Sequence, residues 1–171
     1  ILNLSKCICF HETDLPYGRG GSPIQNLIVR GHNSTVISAI KMVSKLDAGP
    51  VYYKRKLSLE GTAGQIYRRA SSIIAGLIFD IITFNPVAKN QIGDPVIFKR
   101  RTPDQSEVTK SIKTKKDFYN HIRMLDADTY PRAFFNMFEF RFELSKPILK
   151  EDSLIAEVKI TDNFDSMEQN D

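Results

Sequence analysis

Phe10-His11-Glu12-Thr13-Asp14-Leu15-Pro16-Tyr17-Gly18-Arg19-Gly20-Gly21-Ser22-Pro23 is the stretch from which the rest of the chain is read. The apolar run before it, Lys6 to Phe10, predicts a strand that ends directly in a His. A polar turn follows, then a loop of Pro and Gly. In an open α/β sheet, chemistry sits just past the carboxyl end of a strand, on a loop held by a rigid scaffold. Arg19 stands between two glycines, so the backbone can fold tightly around it.

Upstream of this stretch there is little chain. The first residue is Ile1, not Met, and a core strand follows almost at once, which predicts a fragment lacking an N-terminal part. Downstream, Pro23 to Arg30 predicts a short helix, with Pro in the first turn and Ile24, Leu27 and Ile28 at i, i+3, i+4. Val36 to Met42 and Pro50 to Leu57 read as strands joined by the tight Lys45-Leu46-Asp47-Ala48-Gly49-Pro50 connection. Ala63 to Ile82 predicts a long helix. Thr62 and Gln65 form its capping box, Ile66, Ala70, Ile73, Ile74, Leu77, Ile78 and Ile81 its buried face, and Asn85-Pro86 its stop. Gln91 to Asp104 reads as a loop around Val96-Ile97-Phe98. A second helix is expected over Lys115 to Leu125, capped by Thr114 and Asp117, with Phe118, Ile122 and Leu125 on its apolar face. The period then changes to two: Phe138, Phe140, Phe142 and Leu144, then Leu154, Ala156, Val158 and Ile160, predict two strands across a Ser145 to Ser153 loop. The acidic, patternless 162–171 segment reads as a disordered tail.

The expected fold class is therefore α/β: the C-terminal part of a doubly wound, Rossmann-like sheet over residues 1–104, then a linker helix and a small antiparallel β appendage over 105–161. A half-sheet alone predicts an exposed edge and poor solubility.

Bulk composition narrows the function. Apolar residues make 42% of the 171-residue chain and charged ones 26%, an ordinary soluble composition. Twenty-four Lys and Arg against 20 Asp and Glu leave +4, which suits an anionic ligand but is too weak to argue nucleic-acid binding. Cys7 and Cys9 alternate in one strand, which suits reduced, buried thiols in a cytoplasmic protein better than a disulfide or a metal site. No membrane segment is expected, since no apolar run reaches the roughly 18 residues a span needs.

Three features converge on chemistry. His11 follows one strand, Asp47 follows another, and Arg19 sits in a loop between them. A His near neutral pKa can hold or move a proton, and a carboxylate can orient it or accept a proton from an attacking amine. No Ser or Cys stands in a nucleophile elbow, which favours direct transfer between two bound substrates. Each residue also has a plainer role: His11 as a turn residue, Asp47 as an Asx-turn former, and Lys99-Arg100-Arg101 as a solvated patch rather than an anion clamp.

The His11 stretch resembles the central motif of the formyltetrahydrofolate-dependent formyltransferases, Asn-x-His followed by Leu-Pro-x-x-Arg-Gly and a Pro. That family includes methionyl-tRNA formyltransferases and sugar-nucleotide N-formyltransferases. Leu46-Asp47-Ala48-Gly49-Pro50 resembles its Asp-Ala/Thr-Gly segment, Arg100-Arg101-Thr102-Pro103-Asp104 its Arg-Arg-Thr-Pro segment, and Tyr130-Pro131-Arg132-Ala133-Phe134 its Pro-Gly-Ala-Phe, with Arg132 where Gly is usual. The four motifs stand in order over residues 7–135.

The resemblance implies catalytic roles for His11 and Asp47. His11 would stabilise the tetrahedral intermediate and manage its proton, while Asp47 would orient His11 and help take a proton from the amine. It also implies substrate contacts from Thr13, Arg19, Gly20, Arg100 and Arg101, and 10-formyltetrahydrofolate as formyl donor. The family's Asn, two residues before the His, is Cys9 here, a weak donor in a degenerate triad position. The implied acceptor is a small amine, with a sugar nucleotide ahead of methionyl-tRNA, in a cytoplasmic protein able to form a homodimer. No metal is implied. From a different class comes the alternative of a catalytically silent remnant that serves as a ligand-binding module.

Overall fold

The computed structural model describes residue 2, residues 5–128 and residues 130–163. It divides into two compact units, Ile1–Gly61 with Gln65–Arg101, and Thr62–Gly64 with Thr102–Asp171.

In the first unit, β1 (Ile8–His11), β3 (Ser34–Lys41) and β4 (Val51–Ser58) form one sheet in the order β1-β3-β4. Both pairings are antiparallel, with His11 opposite Ser38, and Ser34 opposite Ser58. The sequence reading expected a parallel, doubly wound order. The antiparallel outcome has a plain cause at β3 and β4: their connection is too short for the crossover that parallel neighbours need. The parallel pairing lies elsewhere, between β2 (Tyr17–Gly20) and β5 (Val96–Phe98), the second of which was expected only as an apolar segment within a loop.

The first strand starts later than its composition suggests and includes His11 as its last paired residue. Before it, Cys7 accepts the Met42 N–H through its carbonyl and is not part of the strand. Cys7 and Cys9 are free thiols and half-buried, not fully buried as expected. Strand β3 is central, and Ile37-Ser38-Ala39-Ile40 are buried in succession, so it shows no alternation. A strand covered on both faces loses the period-2 signal.

Helix α1 (Pro23–Val29) buries Ile24, Leu27 and Ile28, as its spacing predicts. Helix α2 (Ala63–Phe84) stops before Asn85, whose φ of 39° leaves the helical region. Of its expected buried face, Ile66, Ala70, Leu77 and Ile81 are buried, Ile73 and Ile74 are half-buried, and Ile78 is exposed. Each fully buried aliphatic side chain contributes about 1.5–3 kcal/mol relative to exposure.

In the second unit, a 3-10 turn (Pro103–Ser106) precedes α3 (Lys115–Leu125). The Asp117 N–H donates to Thr114 Oγ1 at 3.0 Å, and the Thr114 N–H donates to Asp117 Oδ2 at 3.2 Å, so the predicted capping box forms in both directions. The expected two-stranded hairpin is a three-stranded antiparallel sheet: β6 (Ala133–Met137), β7 (Phe140–Leu149) and β8 (Leu154–Asp162), in that order. The expected Ser145–Ser153 loop is mostly strand. The ladder shifts register between Ser145 and Ile148, and Pro147 sits in that bulge, where its missing N–H costs no ladder bond. Asp126 pins the bulge by accepting the Lys146 N–H at 2.8 Å and pairs with Arg132. Asp162, assigned to the tail from sequence, ends β8, and residues 164–171 lie outside the described residues.

Candidate active site

The site is assembled by the backbone between β1 and α1. Leu15-Pro16 is a cis peptide, and the chain doubles back so that Gly18 O faces the His11 ring. His11 is 6% exposed. Its Nε2 lies 2.8 Å from Gly18 O. A carbonyl can only accept, so Nε2 carries the proton in this bond, which leaves Nδ1 with its lone pair when the ring is neutral. That Nδ1 stands 3.8 Å from Asp47 Oδ2. The gap is too long for a hydrogen bond, yet short enough for the carboxylate to hold a proton placed on Nδ1.

Asp47 reaches this position because three hydrogen bonds from two residues hold its turn. The Gly20 N–H donates to Asp47 Oδ2 at 2.9 Å. Gln91 Nε2 donates to the carbonyls of Asp47 and Gly49, both at 2.8 Å. Asp47 itself has a φ of 49°, a left-handed conformation that Asp and Asn tolerate best among residues with a side chain. Gly20 is equally constrained. Its φ is 109°, and a Cβ there would lie 2.2 Å from Phe98 O on β5. Only glycine fits.

Arg19 does not point alone into solvent. Its Nε and Nη2 donate to Gln91 Oε1 at 3.1 and 2.7 Å. Gln91 therefore joins the Arg19 loop to the Asp47 turn. Sequence reading passed over it, since a single Gln at the start of a loop carries no motif signal. Thr13 is fully buried, its hydroxyl donates to Gly18 O at 3.3 Å, and its carbonyl accepts from Ser38 Oγ at 2.7 Å. It holds the carbonyl that orients His11.

Cys9 and Glu12 complete the surroundings. Cys9 lies two residues before His11 on β1. Burial pushes its thiol up, with Asp47 and Glu12 adding to the shift, which favours the neutral S–H. Burial also raises the Glu12 carboxyl, and Asp47 adds to that, against the opposing pull of its own backbone N–H and of His11. Both of these neighbours thus favour their neutral forms.

Arg100 and Arg101 follow β5 and lie against the loop that leaves β2. The Arg101 N–H donates to Ser22 Oγ at 3.0 Å, and Arg100 packs where a Cβ on Gly21 would stand. Asn26 fastens this corner by donating to the carbonyls of Gly21, Ser22 and Lys99. A cavity of about 440 Å³ opens along the same loop, lined by Asp14, Tyr17, Leu27, His32, Thr35 and Lys56 among others. The Tyr17 hydroxyl lies 3.1 Å from His32 Nε2 at its wall. Among the described residues, no group of His, Cys, Asp and Glu could hold a metal ion, and no helix is long and apolar enough to cross a membrane.

Such an arrangement can accept a proton at Nδ1, hold it against a fixed carboxylate, and return it. Comparison with known proteins bears on what it acts upon. Residues 103–161 match the family model described as the C-terminal domain of methionyl-tRNA formyltransferase. The chain is 30% identical to the methionyl-tRNA formyltransferase of Lactobacillus johnsonii over 162 residues, 88% of this chain and 50% of that protein. It is 45% identical to a solved methionyl-tRNA formyltransferase from Clostridium thermocellum, with a TM-score of 0.91, covering 95% of this chain and 71% of the other. A sugar N-formyltransferase from a Shewanella species shares the fold, with a TM-score of 0.62 at 17% identity, over 91% of this chain and 61% of its own. The chain spans about half the length of the curated relatives it matches.

Proposed function

The chain belongs to the methionyl-tRNA formyltransferase family, and from that premise we propose that it transfers a formyl group to a primary amine, with 10-formyltetrahydrofolate as donor. The observation that carries the reading is the His11–Asp47 pair: Nε2 bound to Gly18 O, Nδ1 turned to a carboxylate at 3.8 Å, and that carboxylate fixed by the Gly20 N–H. The donor supplies an electrophilic formyl carbon. The residues present fit its reacting end, since an imidazole nitrogen and an anchored carboxylate stand together with no side-chain nucleophile between them.

The attacking amine forms the new C–N bond and must shed a proton. Asp47 and His11 Nδ1 are placed to take it and to return it to the leaving nitrogen as the old C–N bond breaks. A proton held at Nδ1 faces the Asp47 carboxylate, so charge generated in the transition state has a preset partner. Gln91 and Arg19 hold the two loops in register, which preserves the 3.8 Å separation. Residues 1–104 carry this chemistry in the proposal, and 105–161 form the C-terminal region. Among the described residues β1 is an outer strand of its sheet, and the doubly wound order stays part of the proposal.

For the acceptor, an amino-sugar nucleotide is favoured over methionyl-tRNA. The net charge of +4 offers little to a large polyanion, and the cavity beside Tyr17 suits the non-reacting part of a small acceptor. Reaction in the cytoplasm, where folate donors and reduced thiols coexist, completes the proposal. The test is formyl transfer from 10-formyltetrahydrofolate to amino-sugar nucleotides and to methionyl-tRNA, with His11→Ala as control. Transfer that His11→Ala abolishes supports the reading. Undiminished transfer by His11→Ala overturns the mechanism, and binding of both substrates without turnover favours the silent module.

A further inference from the structure

One row of side chains crosses the sheet of the first unit. His11 on β1 stands opposite Ser38 on β3, and Ser38 stands opposite Lys54 on β4. Directly opposed residues in antiparallel strands share a face. All three side chains therefore meet the chain that folds over that face, Thr13 to Gly18, and each takes a different carbonyl of it. His11 Nε2 lies 2.8 Å from Gly18 O, Ser38 Oγ donates to Thr13 O at 2.7 Å, and Lys54 Nζ donates to Leu15 O at 2.6 Å. Lys54 also pairs with Asp14 in the same segment.

Bonds within the segment set its local shape: the Leu15 N–H donates to Thr13 O and the Tyr17 N–H to Asp14 O. The row holds that shape against the sheet. Thr13 carries the hold to the imidazole, because its hydroxyl donates to Gly18 O, the carbonyl that His11 Nε2 also meets. A neutral imidazole has two tautomers, and the bond made by one nitrogen decides which is present. The position of Gly18 O thus sets whether Nδ1 turns a lone pair or a proton toward Asp47.

Lys54 is the member of the row that its sequence hides, since Lys54-Arg55-Lys56 reads as plain surface. Arg55 behaves as such a residue: it points to the other face of β4 and pairs with Asp80 on α2. Lys54 instead turns its ammonium onto a backbone carbonyl of the segment beside the site.

We propose that Lys54 is a positioning residue for His11. Together with Ser38 it acts through the Thr13–Gly18 segment and holds the imidazole in the tautomer whose Nδ1 is open to a proton. The inference rests on the proton-handling role given to His11 above. Lys54 touches neither His11 nor the reacting atoms and works only through the placement of Gly18 O.

The test uses the whole chain and two readouts. Nitrogen NMR of its three histidines reports which ring nitrogen carries the proton in the neutral form. Steady-state formyl transfer gives kcat and KM. Lys54→Met keeps the apolar stem and removes the ammonium, and with a side chain 37% exposed the change leaves the core alone. In that variant neutral His11 becomes a mixture of tautomers, kcat falls about tenfold, and KM for the amine stays within about twofold. Lys54→Arg keeps a donor for Leu15 O and recovers the single tautomer. Ser38→Ala, which frees Thr13 O, shifts His11 the same way as Lys54→Met. Arg55→Met removes a cation and an ion pair from the opposite face of the same strand and leaves the tautomer as in wild type. A single, unshifted His11 tautomer in Lys54→Met overturns the proposal, whatever the rates. An equal shift in Arg55→Met also overturns it, since the cause would then be the strand's charge and not the grip on Leu15 O. A wild-type chain that transfers no formyl group overturns the reading of the reaction alone, and the tautomer measurement still decides the role of Lys54.

Discussion

Asp47→Asn separates the chemical from the structural work of this side chain. In the structure Asp47 Oδ2 does two things: it accepts the Gly20 N–H at 2.9 Å and faces His11 Nδ1 at 3.8 Å. Asparagine keeps an oxygen for the first and loses the charge for the second. It also suits the left-handed φ of 49° at least as well as aspartate. The fold should therefore barely notice, with a change under about 0.5 kcal/mol. The electrostatic loss is larger. Two unit charges 3.8 Å apart at an effective dielectric near 20 interact by about 4 kcal/mol. Halving this for residual solvent and for partial charge in the transition state leaves about 2 kcal/mol, or roughly a 30-fold fall in kcat/KM.

Asp47→Ala is the companion variant. It loses the charge and also leaves the Gly20 N–H without its acceptor, at a cost of about 1–3 kcal/mol. Thermal unfolding registers this as a fall of about 2–4 °C per kcal/mol for a chain of this length. The assay is steady-state formyl transfer for both variants beside their melting curves. The expected pattern is two slow enzymes, of which only the alanine variant is less stable. If Asp47→Asn keeps its rate within about threefold of wild type, the charge opposite Nδ1 is not used, and the proposed proton path fails. If both variants lose stability equally, Asp47 acts through the turn alone.

Three further outcomes follow from the same geometry. Glu12 has a carboxyl raised above its ordinary 4.5 by burial, so the native state holds its proton more tightly than the unfolded chain does; that contribution is full below 4.5 and is lost as pH rises through the raised native value. Glu12→Gln stays neutral throughout, so its melting temperature should exceed wild type at about pH 7–8 and converge with it in acid, and parallel pH profiles would remove the basis for this reading. Cys9→Asn restores an amide donor where the resemblance places one, and because losing such a donor costs about a hundredfold, transfer should accelerate by at least about tenfold; a slower enzyme with intact circular dichroism would show that the thiol is the fitted group. Gln91→Ala cuts the link between the Arg19 loop and the Asp47 turn and should lower kcat/KM about tenfold while His11 is untouched; unchanged kinetics would mean that the loops hold their register without it.

The elements legible in the sequence were those whose signal is local. The α3 boundaries follow from Thr114 and Asp117, which bond each other's backbones within one turn. The end of α2 follows from Asn85-Pro86. Strand β6 was missed because Phe134-Phe135-Asn136-Met137 offers too few alternating residues. Its pairing depends on a tight return at Phe138, whose φ of 54° marks no Gly or Asn that a reader would flag. The antiparallel order of β1, β3 and β4 was hidden for a different reason. The central β3, buried over Ile37-Ser38-Ala39-Ile40, reads as apolar whichever way its neighbours run, and direction is set by how far the connections reach.

The site divides along the same line. His11, Asp47, Arg19 and Gly20 could be nominated from a His after an apolar run, an Asp in a tight turn and an Arg between glycines. What holds them together could not, because the hydrogen bonds to Asp47 itself are long-range. The Gly20 amide lies 27 residues away in sequence and Gln91 lies 44 away. Thr13 shows the converse. Its place in a motif suggested contact with substrate, and the structure adds a bond no motif shows: its buried hydroxyl donates to Gly18 O, the carbonyl that His11 Nε2 also meets. Thr13→Val, which keeps the volume and deletes the hydroxyl, would leave Gly18 O to His11 alone, so the loop and the imidazole would still meet but with one restraint fewer.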